Sequence, residues 1–433
     1  AFQSRGRPVR ELHAWMGDSP VGVFLEDSEG NVSLEYAKGV DMPISLSLPL
    51  DGKWARKAPG RFLENLLPDN PTAREAMMRA SGAAGTDSFD LLDGADSSGG
   101  LVFSLHDDYP APRSQMVSFA SDDDIASRIS SARSAPMSWW QHDSHARFSL
   151  AGNQPKFTLA RIGDRWAWPN AAIPSTHIFK PPEQGTADAD IVEAASNRLV
   201  RLCGLESSKA GVMEFAGERT YVIERFDRRP LENGKVARLH TEDFLQSLGL
   251  PPERKYTVKA KDVLHMLHRA DPADGLCYSW IAQLALNVSV GNVDAHAKNY
   301  SLMFSPDGIR LSPMYDVLTT TFWPWVSAEL PMRIGGVTGA RDVTPRHWEK
   351  LALENDLDPE RVVGQARRMA GLVLSNIEEA YSDVEPRIRD RILMLVDSAN
   401  TKIDPIYDSA SMTDDPMGML SGLVPPADEG RRL

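Results

Sequence analysis

The sequence predicts an α+β chain, β-rich over its N-terminal half and mainly helical over its C-terminal half. Two patterns carry that expectation. Up to about residue 232, short apolar runs are separated by Gly, Pro, Asp and Ser, the punctuation of strands and turns. From residue 233 onward, apolar positions recur at helical spacing in stretches long enough for several turns. A length of 433 residues suits two or three domains at roughly 150 residues each, and 42% hydrophobic with 25% charged residues is ordinary for a water-soluble globular protein.

Taken in order, residues 1–130 read as a β-rich subdomain with short apolar runs at 21–25, 32–36 and 44–50. A helix over 72–80 follows from Pro71 at a helix start and the good helix formers behind it. The Gly/Ser/Asp cluster at 94–100 marks a loop, and the Ser-, Asp- and Ala-rich stretch at 118–136 reads as a linker or a surface helix. The next segment, 131–232, carries strands at 157–160 and 165–168 around a Gly163-Asp164 turn, and a strand at 176–180 that runs into a loop at 181–186. An amphipathic helix over 188–203 places Val192, Ala195, Leu199 and Leu202 on one face, with Gly204 as its stop. A strand at 220–224 ends in the charged run 225–229. Segment 233–405 supplies helices at 241–248, 258–269, 278–290, 359–374 and 386–402. Residues 406–433, rich in Asp, Met, Pro and Gly, read as a disordered tail.

Charge and cysteine usage narrow the function. With 47 basic against 60 acidic residues the chain carries −13, which argues against gripping nucleic acid by itself. A local patch such as Arg387, Arg389 and Arg391 remains, and it reads as a solvated helix face more readily than as a contact to the DNA backbone. Two cysteines, Cys203 and Cys277, are too few for a disulfide scaffold and suggest a reducing cytoplasm. Residues 1–10 lack the apolar stretch of a signal peptide or anchor. The best apolar run, 280–290, is interrupted by Gln283 and Asn287 and falls far short of the roughly 20 residues a bilayer requires. No membrane association is expected. His265 and His268 share a helical spacing but lack a third metal ligand nearby, and Trp139-Trp140 reads as packing.

The chemistry concentrates between residues 294 and 316. Asp294-Ala-His-Ala-Lys-Asn299 precedes two short apolar runs, 300–304 and 309–312, around a Pro306-Asp307-Gly308 turn, and Tyr315-Asp316 follows. The middle section is a hairpin. Paired strands lie about 5 Å apart, so the entering and leaving residues meet at the open end and Asn299 should neighbour Asp316. With Asp294 just upstream, this makes an oxygen-rich site suited to Mg²⁺. Asp-x-x-x-x-Asn, a hairpin and a second Asp is the arrangement protein kinases use for the catalytic base and two metal ligands. A polar loop beside a surface hairpin would present the same residues.

Kinase chemistry also needs a lysine on a strand, a helix glutamate to hold it and a phosphate-covering loop. Lys180 ends the strand at 176–180, and Glu193 lies in the first turns of the next helix, where it could reach back. Ser149-Leu-Ala-Gly-Asn-Gln-Pro-Lys156 is a small-residue loop able to turn amides toward an anion, although it has neither GxGxxG nor a Walker pattern and an ordinary turn would look alike. A metal hydrolase built on Asp294, His296 and Asp316 is a further enzymatic reading. It leaves Lys180 and the Ser149 loop without a role.

In combination and in this order, several motifs resemble the HipA toxins of bacterial toxin–antitoxin systems, serine/threonine kinases of the phosphatidylinositol-kinase-like branch. They are Ser45-Leu-Ser-Leu-Pro49, Asn65-Leu-Leu-Pro-Asp69, Ser149 to Lys156, Thr176-His-Ile-Phe-Lys180, Glu224-Arg-Phe-Asp-Arg228, Asp294 to Asn299 and Tyr315-Asp316. The resemblance implies a two-lobed protein-kinase-like (phosphatidylinositol-kinase-like) fold, with 131–232 as kinase N-lobe and 233–405 as helical C-lobe. It implies ATP and Mg²⁺ as cofactors, Asp294 as general base, Asn299 and Asp316 as Mg²⁺ ligands, and Lys180, supported by Glu193, on the ATP phosphates. Ala151, Gly152, Asn153, Gln154, Pro155 and Lys156 match the phosphate loop. Glu224, Arg225 and Phe226 match the hinge that meets adenine, while His296, Ala297 and Lys298 match the nucleotide-contacting catalytic loop, followed by Tyr315. Ser149 matches the autophosphorylated serine, where roughly −1.5 to −2 added charges would repel ATP phosphates. Asn153 and Pro155 depart from the family's loop in a way that would stiffen it.

The same resemblance implies a growth-arresting toxin whose protein substrate is an aminoacyl-tRNA synthetase of the glutamyl type. Its partner would be a HipB-like helix-turn-helix antitoxin, through which it reaches operator DNA. A catalytically silent co-repressor that only binds the antitoxin is the alternative.

Overall fold

The structure, a computed structural model, describes residues 10–109, 117–134, 148–149, 155–169, 173–182, 188–231, 235–324 and 326–407. The chain forms two compact units and passes between them more than once. The first is drawn from residues up to 194, 207–256 and 297–315; the second takes 195–206, 257–296 and the chain from 316 onward.

The first unit opens with a four-stranded antiparallel sheet in the order Val32–Tyr36, Ser19–Glu26, Arg10–Met16, Leu101–Ser104. Alternation buries Leu12, Ala14 and Phe24, and the Phe24 ring meets Phe62 and Phe103 at 6.2 Å. Burying a side chain of the size of Leu12 or Phe24 stabilises the fold by about 1.5–3 kcal/mol. Phe62 comes from the helix Ala58–Glu64, which the sequence pattern did not reveal because Lys57 offers no capping side chain. The expected helix at 72–80 is present as Pro71–Ser81, capped by Asn70 and stopped by the left-handed Gly82.

Residues 44–50, expected as an apolar strand, form turns instead. Pro43 and Pro49 lack N–H donors, Leu48 N–H closes onto the Ser45 carbonyl at 3.0 Å, and the Ser47 hydroxyl donates to the Gln246 carbonyl at 2.6 Å. The 118–136 stretch contains a helix, Asp122–Ser134, which is more than a surface element. Ile125, Ile129 and Ala132 are fully buried, and the helix packs on strands Glu218–Glu224 and Ala210–Phe215. Ser121 and Asp124 close a reciprocal cap at its start.

A six-stranded sheet follows, in the order Ala210–Phe215, Glu218–Glu224, His177–Lys180, Phe157–Ile162, Arg165–Ala167, Phe119–Ala120. Its core stacks Phe157 on Phe179 at 4.9 Å, with Trp166 edge-on to Phe179 at 5.1 Å. The expected helix at 241–248 divides. Thr241–Asp243 becomes a strand paired with Ser301–Met303, and only Phe244–Leu248 is helical, because the capping box of Asp243 and Gln246 starts the helix there.

The second unit is organised around the helix Gly275–Ser289, apolar on all sides and almost wholly buried. Helices Ala260–Ala270, Pro359–Ala380 and Pro386–Asn400 pack against it. A hairpin, Glu329–Ile334 with Val337–Gly339, and the helix Pro345–Leu353 were not anticipated, although the Gly335-Gly336 pair is a turn signal. The chain stays packed into the segment read as a tail: Ile406 N–H donates to the Arg367 carbonyl at 3.1 Å. Residues 408–433 lie outside the described residues. No described helix is long and apolar enough to cross a membrane.

Candidate active site

Lys180 ends a central strand of the six-stranded sheet, where it pairs in register with Tyr221. Its Nζ donates to Glu193 Oε1 at 2.7 Å, with side-chain exposures of only 7% and 5%. Glu193 stands in the first turns of the helix Ala189–Leu202, and Asp190 from that first turn takes two hydrogen bonds from Arg219 at 2.6 and 3.1 Å. Two ion pairs therefore lock the start of this helix onto adjacent strands, and the lysine charge is partnered as a buried ammonium must be.

Ser149 belongs to the short strand Phe148–Ser149, which runs parallel to Asp96–Ser97. Its side chain, and Ala151, Gly152, Asn153 and Gln154 of the expected phosphate loop, lie outside the described residues. Pro155 and Lys156 are buried where that loop enters Phe157–Ile162.

The run Glu224-Arg-Phe-Asp-Arg228 leaves the sheet through two backbone bonds, Glu224 N–H to the Lys209 carbonyl and Arg225 N–H to the Thr176 carbonyl, both 2.8 Å. The Arg225 guanidinium turns inward and donates to Asp227 at 3.0 and 2.8 Å and to Ser175 Oγ at 2.9 Å. Asp96 receives Arg228 at 2.9 Å, Arg238 at 3.1 Å and Ser175 Oγ at 2.6 Å. Burial alone would raise the Asp96 and Asp227 carboxyls, but Arg228 and Arg225 outweigh it. Asp96 is held well below the usual carboxylate range and Asp227 is lowered to about 2. Gly99 completes the cluster: its N–H donates to Asp227 at 2.7 Å, and at φ +81° a Cβ would sit 2.7 Å from the Thr241 carbonyl. Phe226, half-buried, stacks on Tyr315 with centroids 5.6 Å apart and rings tilted 22°.

Downstream of the Gly275–Ser289 helix, Gly291 adopts φ +68° and the buried Asn292 organises the acidic loop. Asn292 Nδ2 donates to Asn287 Oδ1 at 2.8 Å and to the Asp316 carbonyl at 3.1 Å, while its Oδ1 accepts the Asp294 N–H at 3.2 Å. The same amide thus fixes the backbone at both aspartates. Thr320 Oγ1 adds a second tie, accepting from Val293 N–H at 2.7 Å and donating to the Gly291 carbonyl at 3.2 Å. Asp316 is held at φ +53°, a left-handed conformation that costs a non-glycine residue on the order of 1 kcal/mol or more.

The turn Ala297–Asn299 leads into the hairpin Ser301–Ser305 and Gly308–Leu311. At its open end Tyr315 Oη donates to the Lys298 carbonyl at 2.8 Å and shares a 2.7 Å hydrogen bond with Ser301 Oγ. Entering and leaving strands are therefore bonded one residue before Asp316. Within the loop, His296, Ala297 and Lys298 are buried, whereas Asp294, Asn299 and Asp316 are half-exposed. The Lys298 ammonium is committed to Asn65 and Asp243.

Carboxylates and an amide oxygen are the donor types that Mg²⁺ takes, with water or phosphate oxygens completing its octahedron. Among the described residues no group of three or more His, Cys, Asp or Glu is gathered as a metal site. Sequence reasoning missed Asn292, whose signal was its place between the helix-ending Gly291 and Asp294, and the inward direction of Arg225.

The chain is similar to known proteins. A family model described as the HipA-like C-terminal domain matches residues 148–379, and one described as the HipA N-terminal domain matches residues 12–104. The Sinorhizobium fredii protein Y4mE is 31% identical over 421 residues, covering 93% of this chain and 97% of its own. The serine/threonine-protein kinase toxin HipA of Shewanella oneidensis is 27% identical over 415 residues, 89% of each chain. A solved structure of Shewanella oneidensis HipA with HipB and its operator DNA superposes with a TM-score of 0.77 over 92% of this chain and 99% of that one, at 22% identity. The chain belongs to the HipA family of serine/threonine-protein kinase toxins.

Proposed function

We propose that this kinase arrests growth by transferring the γ-phosphoryl group of ATP, with Mg²⁺, to a serine or threonine of a cellular protein. The buried Lys180–Glu193 pair is the observation that carries the reading, since a lysine so fixed at a strand end presents its charge to a nucleotide phosphate in one direction. Asp294 accepts the acceptor hydroxyl proton. Asn299 and Asp316 would hold Mg²⁺, which when bound supplies charge neutralisation at the phosphates. The left-handed Asp316 and the Asn292 amide preorganise the two aspartates. Glu224 and Phe226 border the adenine position, and Pro155 and Lys156 continue the phosphate loop. The Arg225 and Lys298 side chains, engaged elsewhere, would contribute through backbone alone.

Family resemblance supports three finer statements: an aminoacyl-tRNA synthetase, glutamyl in type, as protein substrate; autophosphorylation at Ser149 as self-inactivation; and cytoplasmic co-repression with a HipB-like antitoxin. The charge of −13 supports DNA being reached through that partner. Intact-mass analysis of phosphatase-treated protein after incubation with ATP and Mg²⁺ tests the core of this reading. One added phosphate is expected, absent from Asp294→Asn and Ser149→Ala. No phosphate gained by the wild type would leave the silent co-repressor instead.

A further inference from the structure

The segment Asn65–Asp69 lies far in sequence from the catalytic loop, yet it touches that loop by two routes. Lys298 Nζ donates to the Asn65 carbonyl at 3.1 Å, to Asn65 Oδ1 at 2.9 Å and to Asp243 Oδ2 at 2.7 Å. All three donor hydrogens of a buried ammonium are thereby used. Asn65, 2% exposed, is itself fixed, its Nδ2 donating to the Arg61 and Leu250 carbonyls at 2.8 Å each. By the second route Lys255 Nζ donates to Asp69 Oδ2 at 2.9 Å, and the Lys255 carbonyl accepts the Ala297 N–H at 3.3 Å. The two routes converge on consecutive residues, Ala297 and Lys298, immediately before Asn299.

We propose that Asn65–Asp69 positions the Ala297–Asn299 turn, so that the N-terminal subdomain is a working part of the catalytic apparatus rather than an appendage. A turn of three residues has little internal bonding to set its orientation, and the Asn299 amide must be held within a fraction of an ångström to serve as a ligand. Buried, charge-assisted bonds to a rigid neighbour supply that constraint. Lys298 and Lys255 are accordingly positioning residues. The inference rests on the proposed role of Asn299, but the positioning itself is measurable without activity.

The test compares full-length wild type with Lys298→Met, Lys298→Arg, Asn65→Ala and Lys255→Met. Hydrogen exchange of the peptide spanning residues 294–300, measured without nucleotide, should be faster in the Met and Ala variants and near wild type in Lys298→Arg. Steady-state phosphate transfer should show kcat lowered by about 10- to 100-fold with KM for ATP within about twofold, since displaced geometry impairs the chemical step more than nucleotide binding. Unchanged exchange in all variants overturns the proposal, as does a rise in KM for ATP with kcat preserved, which would make Lys298 a nucleotide contact. Should Lys298→Met fail to fold, Lys255→Met, at a partly exposed pair, is read by the same two outcomes. A wild type that transfers no phosphate refutes the kinase reading of Asn299 while leaving the exchange result to decide the positioning.

Discussion

The Asn292 side-chain amide bonds the Asp316 carbonyl with its nitrogen and the Asp294 N–H with its oxygen. One buried side chain therefore ties the backbone of both aspartates. Asn292→Ala leaves those groups and Asn287 Oδ1 without that partner, a cost of about 1–3 kcal/mol. Phosphate transfer should fall at least about 10-fold in kcat, and thermal melts with steady-state kinetics check both effects. Asn292→Asp, which loses the donor and sets a buried carboxylate against the Asn287 Oδ1 and the Asp316 carbonyl, should cost at least as much.

Breaking the Lys180–Glu193 pair should destabilise more than removing it whole. Glu193→Leu leaves a buried ammonium without its counter-charge, at about 3–5 kcal/mol, whereas adding Lys180→Met to it should recover much of that stability while abolishing phosphate transfer. Chemical denaturation of the four proteins of the cycle measures the difference. Additive losses would contradict the coupling.

The cluster around Asp96 and Asp227 should make the fold acid-sensitive. Both carboxyls are lowered in the folded state from an ordinary value of 3.8, so the unfolded chain binds more protons and stability rises with pH in that window. Their contribution is full above about pH 4 and is lost as the pH falls through the folded values. Asp96→Asn should cost about 3–5 kcal/mol at neutral pH, because Arg228 and Arg238 lose a buried counter-charge. It should also flatten the stability profile between about pH 4 and pH 2, which denaturant titrations across that range would reveal.

Glu242 should act in the opposite sense. Burial raises its carboxyl from 4.5 to about 7, although it accepts from Leu46 N–H at 3.0 Å and Ser247 Oγ at 2.8 Å. Here the folded chain binds more protons, so this group's contribution falls as the pH rises from about 4.5 to about 7. His240, lowered by burial to about 4, opposes it between about pH 4 and 6.5. Glu242→Gln should therefore gain stability relative to wild type as the pH rises from 5 to 8, by on the order of a few kcal/mol at the top of that range. A difference in melting temperature independent of pH would contradict this account.

The legible parts of the site were those encoded within short stretches of chain. Asp294 and Asn299 are five residues apart, and Lys180 and Glu193 lie on consecutive elements, so spacing and periodicity suffice to bring them into view. The hairpin at 301–311 was legible for the same reason, its turn residues being local. The misread elements were those whose state depends on remote partners. Residues 241–243 have a helix-compatible pattern and become a strand because Ser301–Met303 offers a ladder. The 118–136 stretch looked like a surface segment until the six-stranded sheet supplied a face for Ile125 and Ile129.

By itself the sequence determined which chemical groups are present and in what order: a strand lysine, a helix carboxylate, and two aspartates with an asparagine between them. Only the tertiary structure decided which polar side chains stay half-exposed and which are consumed in holding the rest. Lys298 and Arg225 sit inside motifs that read as nucleotide-binding, yet one bonds Asn65, 233 positions away in the chain, and the other joins a cluster with Asp96 and Asp227. The reason is energetic: a buried charge must take whatever counter-charge or carbonyl the fold brings to it, and that partner is set by long-range packing that no local spacing encodes.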